Sequence, residues 1–354
     1  MFDWKRLFSW FRKPALSEPP CTPAYWTLQS VYLARAYYIV AELGIADLLN
    51  DHPMSVAELA ETTHTHERSL FRILRALASF GVFAQSEDGR FAMTESAHAL
   101  RSDIVGTMKD WTILVGSTPT WQSLDNALDV VRTGKSGFEL AHGATGDLFE
   151  YCDRDEEFGK VFVRAMNNWT DWQRDVILAE YDFTRFKKVV DIGGGCGSFI
   201  CGVLKQSPAT RGVLFDREQS IEQARVFVEE EGVIDRCELV AGNFLKVVPE
   251  GGDAYVLKHT LRDWDDESVM AILRNCHAAM TAESRLLLID ATLDEANGKD
   301  RIGKLLDLEQ MFWVSGALRT EPEWTQLLTT AGFEIVDTRR TSIVDATIIE
   351  ARRR

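Results

Sequence analysis

The 354-residue chain is poor in cysteine, poor in positive charge and without a long apolar run. Its six cysteines, Cys21, Cys152, Cys196, Cys201, Cys237 and Cys276, include no CxxC pair and no Cys/His grouping at zinc spacing. That excludes a disulfide scaffold and fits reduced thiols in the cytoplasm, with no metal site expected. Lysine and arginine number 39 against 54 acidic residues, a formal net charge of −15. Phosphate contacts need cations, so no nucleic-acid partner is expected. No apolar stretch approaches the ~20 residues of a membrane span, so stable membrane insertion is not expected either. What is present is ordinary globular material: 45% hydrophobic and 26% charged residues, enough chain for about two domains.

Four regions follow one another. Residues 1–24 read as an N-terminal arm. Its start, MFDWKRLFSWFRKP, interleaves basic and aromatic residues but lacks the apolar core and cleavage site of a secretory signal. Docking on a protein surface is expected, and a short helix lying on a membrane is the other reading. Residues 25–105 predict a helical, winged-helix-like domain. A helix over 26–50 breaks at Gly44, Ser55 and Glu58 form a capping box, and Leu70, Ile73, Leu74 and Leu77 make an apolar stripe. A hairpin then turns at Asp88-Gly89. Glu67 interrupts the basic run of Arg68, Arg72 and Arg75, so dimerisation or lid duty is expected rather than DNA binding. Residues 106–180 predict a tryptophan-rich helical connector and substrate lid. Residues 181–354 predict strands at 187–192, 211–216, 236–243, 253–259 and 285–292, helices at 219–230 and 266–281, and a closing antiparallel hairpin. That alternation is an α/β, Rossmann-like domain.

The chemistry concentrates at Asp191-Ile-Gly193-Gly-Gly195-Cys-Gly197, between a predicted strand and a helix. Glycine there lets backbone amides approach a ligand, and Asp216 at the end of the next strand suits two ribose hydroxyls. A nicotinamide dinucleotide needs a G-x-G-x-x-G loop for its pyrophosphate, and here the third glycine falls one residue early. Asp191 would also repel a pyrophosphate. It suits S-adenosylmethionine (SAM), which carries an ammonium and a sulfonium.

On GIADLL (44–49), FELAHG (138–143), VVDIGGGCG (189–197), LFD (214–216), LKHTLRDWDDE (257–267), GKLLDLEQM (303–311) and RTEPEW (319–324), the chain resembles the SAM-dependent O-methyltransferases of the caffeate and hydroxyindole type. The resemblance spans roughly residues 25–350. It implies a SAM-binding domain behind a dimerisation domain, and a homodimer. Carried over by position, Asp191, Gly193, Gly195 and Gly197 underlie methionine and ribose. Asp216 would hold the ribose, Asn243 and Phe244 would lie beside adenine, and Lys258 would touch the cofactor.

The catalytic positions depart from that pattern. The family's L-H-D-W reads Leu261-Arg262-Asp263-Trp264 here, and its two flanking glutamates read Asp290 and Leu318. In the family the histidine is the general base, and arginine, always protonated, cannot serve as one. His142 in FELAHG is the spare imidazole, while His259 is expected to pack or to touch the cofactor side. Arg262 is expected either to fork a substrate carboxylate or to pair with Asp290. Trp111, Met166, Trp169, Trp172 and Trp313 are candidate substrate walls, suited to a sulfonium product through cation–π contact. The expectation this favours is base-free S-methylation of a small anionic thioether. One bacterial branch of the family methylates 4-methylthio-2-hydroxybutyrate in this way, in dimethylsulfoniopropionate synthesis. O-methylation of a phenolic or enolic metabolite is the alternative, and a SAM-binding relative that transfers no methyl is a third.

Overall fold

A computed structural model describes residues 22–143, 148–296, 300–343 and 345–354. The expected N-terminal arm lies outside the described residues as far as residue 21, and from Thr22 the chain is already helical. The chain divides into two compact units, Met1–Ile104 and Val105–Arg354. The helices of 106–180, set apart in the sequence reading as a connector, therefore belong to the same unit as the sheet.

In the first unit a helix runs over Thr22–Glu42. Gly44, with φ of 62°, turns the chain into the short helix Ile45–Leu48. A left-handed conformation of this kind is why the break falls on a glycine. Helix Val56–Thr62 starts at a reciprocal cap, in which the Ser55 amide donates to Glu58 Oε2 at 2.7 Å and the Glu58 amide donates to Ser55 Oγ. Helix Glu67–Ser79 buries Leu70, Leu74 and Leu77 at helical spacing. Strands β1 (Phe83–Gln85) and β2 (Phe91–Met93) pair antiparallel and bury Phe83 and Phe91. Along the first helix Tyr25, Trp26, Leu28, Val31 and Tyr32 are exposed, an apolar face left open to solvent within one chain.

Among the described residues, the second unit is organised by a seven-stranded sheet in the order β10-β11-β7-β6-β3-β4-β5. Its parallel members are β3 (Lys188–Ile192), β4 (Arg211–Asp216), β5 (Cys237–Ala241), β6 (Ala254–Lys258) and β7 (Arg285–Asp290). β10 (Phe333–Arg340) and β11 (Thr347–Arg353) form the expected antiparallel hairpin, and β11 pairs antiparallel with β7. The near-continuous apolar runs of β3, β4, β6 and β7 are what strands covered on both faces require. One face carries the core of Ile177, Phe199, Ile200, Leu204 and Val228, and the other that of Val269, Ile272, Leu273, Trp324 and Leu328. Two further short strands, β8 (Thr292–Leu293) and β9 (Arg319–Thr320), pair parallel beyond the end of β7. The chain runs outward from β3 through β4 to β5, then returns to place β6 on the other side of β3. Ligands of open α/β sheets bind at such a reversal, outside the carboxyl ends of the strands. Asp191 near the end of β3, Asp216 ending β4, Lys258 ending β6 and Asp290 ending β7 all stand on that edge.

Candidate active site

The turn after β3 brings backbone amides to the sheet edge. Gly193, Gly195 and Gly197 have φ of 69°, 60° and 88°, left-handed values that side chains resist. Gly194 is glycine for another reason, since a Cβ there would lie 2.5 Å from Asp191 Oδ2. Asp216 ties the loop to β4. Its carboxylate accepts from the Gly195 amide at 2.8 Å and from the Arg217 amide at 2.7 Å.

Asp191 is 1% exposed, and neither of its carboxylate oxygens has a hydrogen-bond partner among the described residues. Burial pushes this carboxyl up to about 7; the Lys258 ammonium pulls the other way and Asp216 adds repulsion. A buried carboxylate without a partner is costly unless a cation meets it. This orphaned acid beside a glycine-lined turn fits a cationic ligand such as SAM and disfavours a pyrophosphate. Lys258 Nζ donates to Thr170 Oγ1 at 3.2 Å. Burial, and then the charge of Arg262, bring its ammonium down to about 8.

The two adenine-side candidates have local work as well. Asn243 Oδ1 accepts from the Leu245 amide at 2.8 Å, a side chain capping its own turn. Phe244 packs edge-on against Trp264 with ring centres 5.5 Å apart, and its carbonyl accepts from Asn275.

Arg262 lies in the turn after β6. Its Nε donates to Asp290 Oδ1 at 2.6 Å, and the two side chains are only 7% and 5% exposed. The same Asp290 oxygen accepts the Ala291 amide. Burial raises the Asp290 carboxyl, with Arg262 opposing. One guanidinium nitrogen, Nη2 of Arg262, is buried without a partner. Leu318 is buried, and its amide donates to Asp307. Arg319 clamps the turn by donating to the carbonyls of Leu261 and Trp264 and to Asp266.

The tryptophans come together on three helices. Trp111 of helix Lys109–Gly116 stacks on Trp169 of helix Glu156–Glu180 at 5.2 Å. Trp111 also lies 5.7 Å from Trp313, which ends helix Arg301–Trp313, and Trp172 lies 5.4 Å from Trp169. Met166 packs into the same cluster. Trp169 Nε1 donates to Asp345 at 3.0 Å, and Gln173 donates to both oxygens of that acid at 2.7 Å.

The spare imidazole is placed otherwise. His142 Nε2 lies 3.3 Å from the Pro119 carbonyl, and its ring packs on Phe138 and Tyr151. Burial lowers its pKa. None of these partners is a cofactor candidate. His259, at φ of 54°, has Nε2 buried without a partner, and burial keeps the ring neutral.

Three acids near Arg262 or Trp169 were not singled out in sequence: Asp263, Glu309 and Asp345. Burial brings the carboxyls of Asp263 and Glu309 up to about 7, against the pull of Arg262. Asp263 and Glu309 lie inside the quoted motifs LKHTLRDWDDE and GKLLDLEQM, so a signal was present for them. Asp345 had none, because its partners are about 170 residues earlier in the chain.

A glycine turn, an orphaned acid and a second-strand aspartate at a sheet reversal define a SAM-type methyltransferase fold. Residues 121–334 match the O-methyltransferase domain, and residues 27–103 match the O-methyltransferase dimerisation domain. The chain is 37% identical to a phenazine O-methyltransferase of Lysobacter antibioticus, over 93% of each chain. It is 35% identical to a mitomycin biosynthesis 6-O-methyltransferase of Streptomyces lavendulae, over 92% of this chain and 93% of that one. A solved mitomycin 7-O-methyltransferase superposes with a TM-score of 0.88 at 33% identity, covering 94% of this chain and 97% of that one. The chain belongs to the O-methyltransferase family, and it is a SAM-dependent methyltransferase of small molecules. Among the described residues no acid, cysteine or histidine cluster suits a metal ion, and no helix is long and apolar enough to cross a membrane.

Proposed function

We propose that the protein methylates a hydroxyl group on a planar aromatic metabolite. The observation that carries this reading is the group formed by Trp111, Trp169, Trp172 and Trp313. Trp111 and Trp169 are half-buried rather than sealed in the core, and flat indole faces suit a flat acceptor. The named substrates of the two curated relatives, a phenazine and mitomycin, support the same class.

When bound, SAM supplies an electrophilic methyl group at its sulfonium. Asp191 would meet the ligand's ammonium, and Asp216 the ribose. Lys258, Asn243 and Phe244 would line the remaining cofactor surface, while the tryptophans and Met166 would orient the acceptor. Arg262 bears on the thioether-acid reading. Its guanidinium is already paired with Asp290 at 2.6 Å, so its charge is largely compensated and it attracts a substrate carboxylate less than an unpaired arginine would. A small anionic thioether such as 4-methylthio-2-hydroxybutyrate is therefore disfavoured here.

A homodimer belongs to this reading. The dimerisation-domain match and the exposed apolar residues of helix Thr22–Glu42 support it, and mass by light scattering tests it. A cytoplasmic setting goes with it, since Cys152, Cys196, Cys201, Cys237 and Cys276 are all unpaired. The functional test is S-adenosylhomocysteine release by purified protein with SAM and one of three acceptors: 1-hydroxyphenazine, a catechol or 4-methylthio-2-hydroxybutyrate. Turnover on a hydroxyaromatic with a methyl ether as product is expected. Turnover on the thioether alone, with a sulfonium product, refutes the reading. Consumption of a hydroxyaromatic without S-adenosylhomocysteine would favour the non-methylating class.

A further inference from the structure

We infer that Glu309 is the general base of the reaction, in place of the imidazole that Arg262 displaces; this rests on the O-methylation reading above. Glu309 lies on helix Arg301–Trp313, four residues before Trp313, and residues at that spacing share a helix face. The exit of this helix is held against the Arg262 turn. A Cβ at Gly316 would come 2.0 Å from the Arg262 carbonyl oxygen. Two residues before Glu309, Asp307 accepts the Leu318 amide at 2.9 Å.

The Glu309 side chain is half-buried, and among the described residues it has no hydrogen-bond or ion-pair partner. The charge acting on it is that of Arg262, whose Nη2 is itself buried and unpaired. An unused acceptor and an unused donor thus stand within electrostatic reach of each other, and neither satisfies the other. A hydroxyl nucleophile needs this combination: a carboxylate to take its proton and an N–H to meet the charge that develops on oxygen. Three of the other candidates are engaged elsewhere, while Asp263 has its own variant in the test and His259 faces the charges of Arg262 and Lys258. Asp290 is held by Arg262 and the Ala291 amide, Lys258 by Thr170, and His142 by the Pro119 carbonyl. In the step, Glu309 takes the hydroxyl proton as the oxygen–methyl bond forms and the sulfur–methyl bond of the cofactor breaks. S-adenosylhomocysteine is the leaving group, and the proton passes from Glu309 to solvent.

The charged and titratable groups around this centre are Arg262, Asp263, Asp290, Lys258 and His259, so the pH dependence has to be assigned with variants. The experiment measures kcat/KM for 1-hydroxyphenazine and for a catechol against pH, at saturating SAM, in the wild type, Glu309→Gln, Glu309→Asp and Asp263→Asn. The wild type should lose rate about tenfold per pH unit on the acid side of a limb near 7, where the carboxyl is protonated. Glu309→Gln should lower kcat about 100-fold or more, abolish the limb and leave SAM affinity unchanged, which also shows that the variant is folded. Glu309→Asp should keep the limb with partial activity. Wild-type turnover that Glu309→Gln leaves within about threefold, limb intact, overturns the role of Glu309 alone. A limb lost in Asp263→Asn and kept in Glu309→Gln does the same and moves the base to Asp263. No wild-type turnover on either hydroxyaromatic overturns the O-methylation reading, and the role of Glu309 with it.

Discussion

Replacing Asp191 by asparagine should stabilise the protein measured without SAM, and by more at pH 8 than at pH 5. The carboxyl sits at about 7 against an ordinary 3.8. Each pKa unit corresponds to about 1.4 kcal/mol, so the ionised group costs the fold on the order of 4 kcal/mol above pH 7. The sign follows from proton counts. Between roughly pH 4 and 7 the folded state keeps a proton that the unfolded state has released, so stability falls as pH rises and the cost is complete above about 7. Asparagine removes the ionisation but leaves a buried amide without partners, a cost of about 1–3 kcal/mol that does not vary with pH. The difference between the two pH values therefore isolates the charge. About two units separate pH 5 from the folded pKa, so Asp191→Asn should gain about 2–3 kcal/mol more at pH 8 than at pH 5. Asp263 and Glu309 are also raised, but they are common to both proteins and cancel. Urea unfolding at the two pH values reads the gain from the midpoints at constant m. The same gain at both would refute an uncompensated carboxylate at this position. The cofactor reverses the balance. A bound ammonium needs the ionised form, so wild-type SAM affinity should rise from pH 6 to pH 8. Asp191→Asn should lose that rise and about 10–100-fold in affinity, as expected for a lost charge-assisted contact.

Asp216→Ala removes the acceptor for the Gly195 and Arg217 amides; calorimetry should show SAM affinity weakened by about 100-fold, with the acceptor KM little changed. Arg262→Ala strands a buried Asp290 and should cost about 3–5 kcal/mol in urea, most of it recovered when Asp290 is made leucine in the Arg262→Met background. Equal stability of the single and double variants would show that the pair is not buried as described. Trp169→Phe loses the Asp345 hydrogen bond and part of the stacked surface. It should raise KM for a hydroxyaromatic severalfold in steady-state assays, and an unchanged KM would remove Trp169 from the acceptor wall.

The buried strands, the helix break at Gly44, the Ser55 cap and the glycine turn with Asp191 and Asp216 were legible in the sequence, because each is a local pattern. Apolar runs, a left-handed glycine and a three-residue cap carry their own signal whatever surrounds them. The identity of position 262 was equally plain. What Arg262 does was open in the sequence, between a fork for substrate and a partner for Asp290. The 2.6 Å contact joins the turn after β6 to the end of β7, 28 residues apart, and no spacing rule specifies it. The unpaired state of Asp191 among the described residues is likewise a fact about what surrounds it, as is the charge of Arg262 acting on Glu309. The tryptophans were candidate substrate walls by residue type alone, and their mutual stacking across three helices came only with the tertiary structure. Sequence thus determined which groups are available, through local preferences of backbone and side chain. Tertiary structure decided which charges are satisfied, because burial and distance set the energies of ionised groups and neither is a local property of the chain.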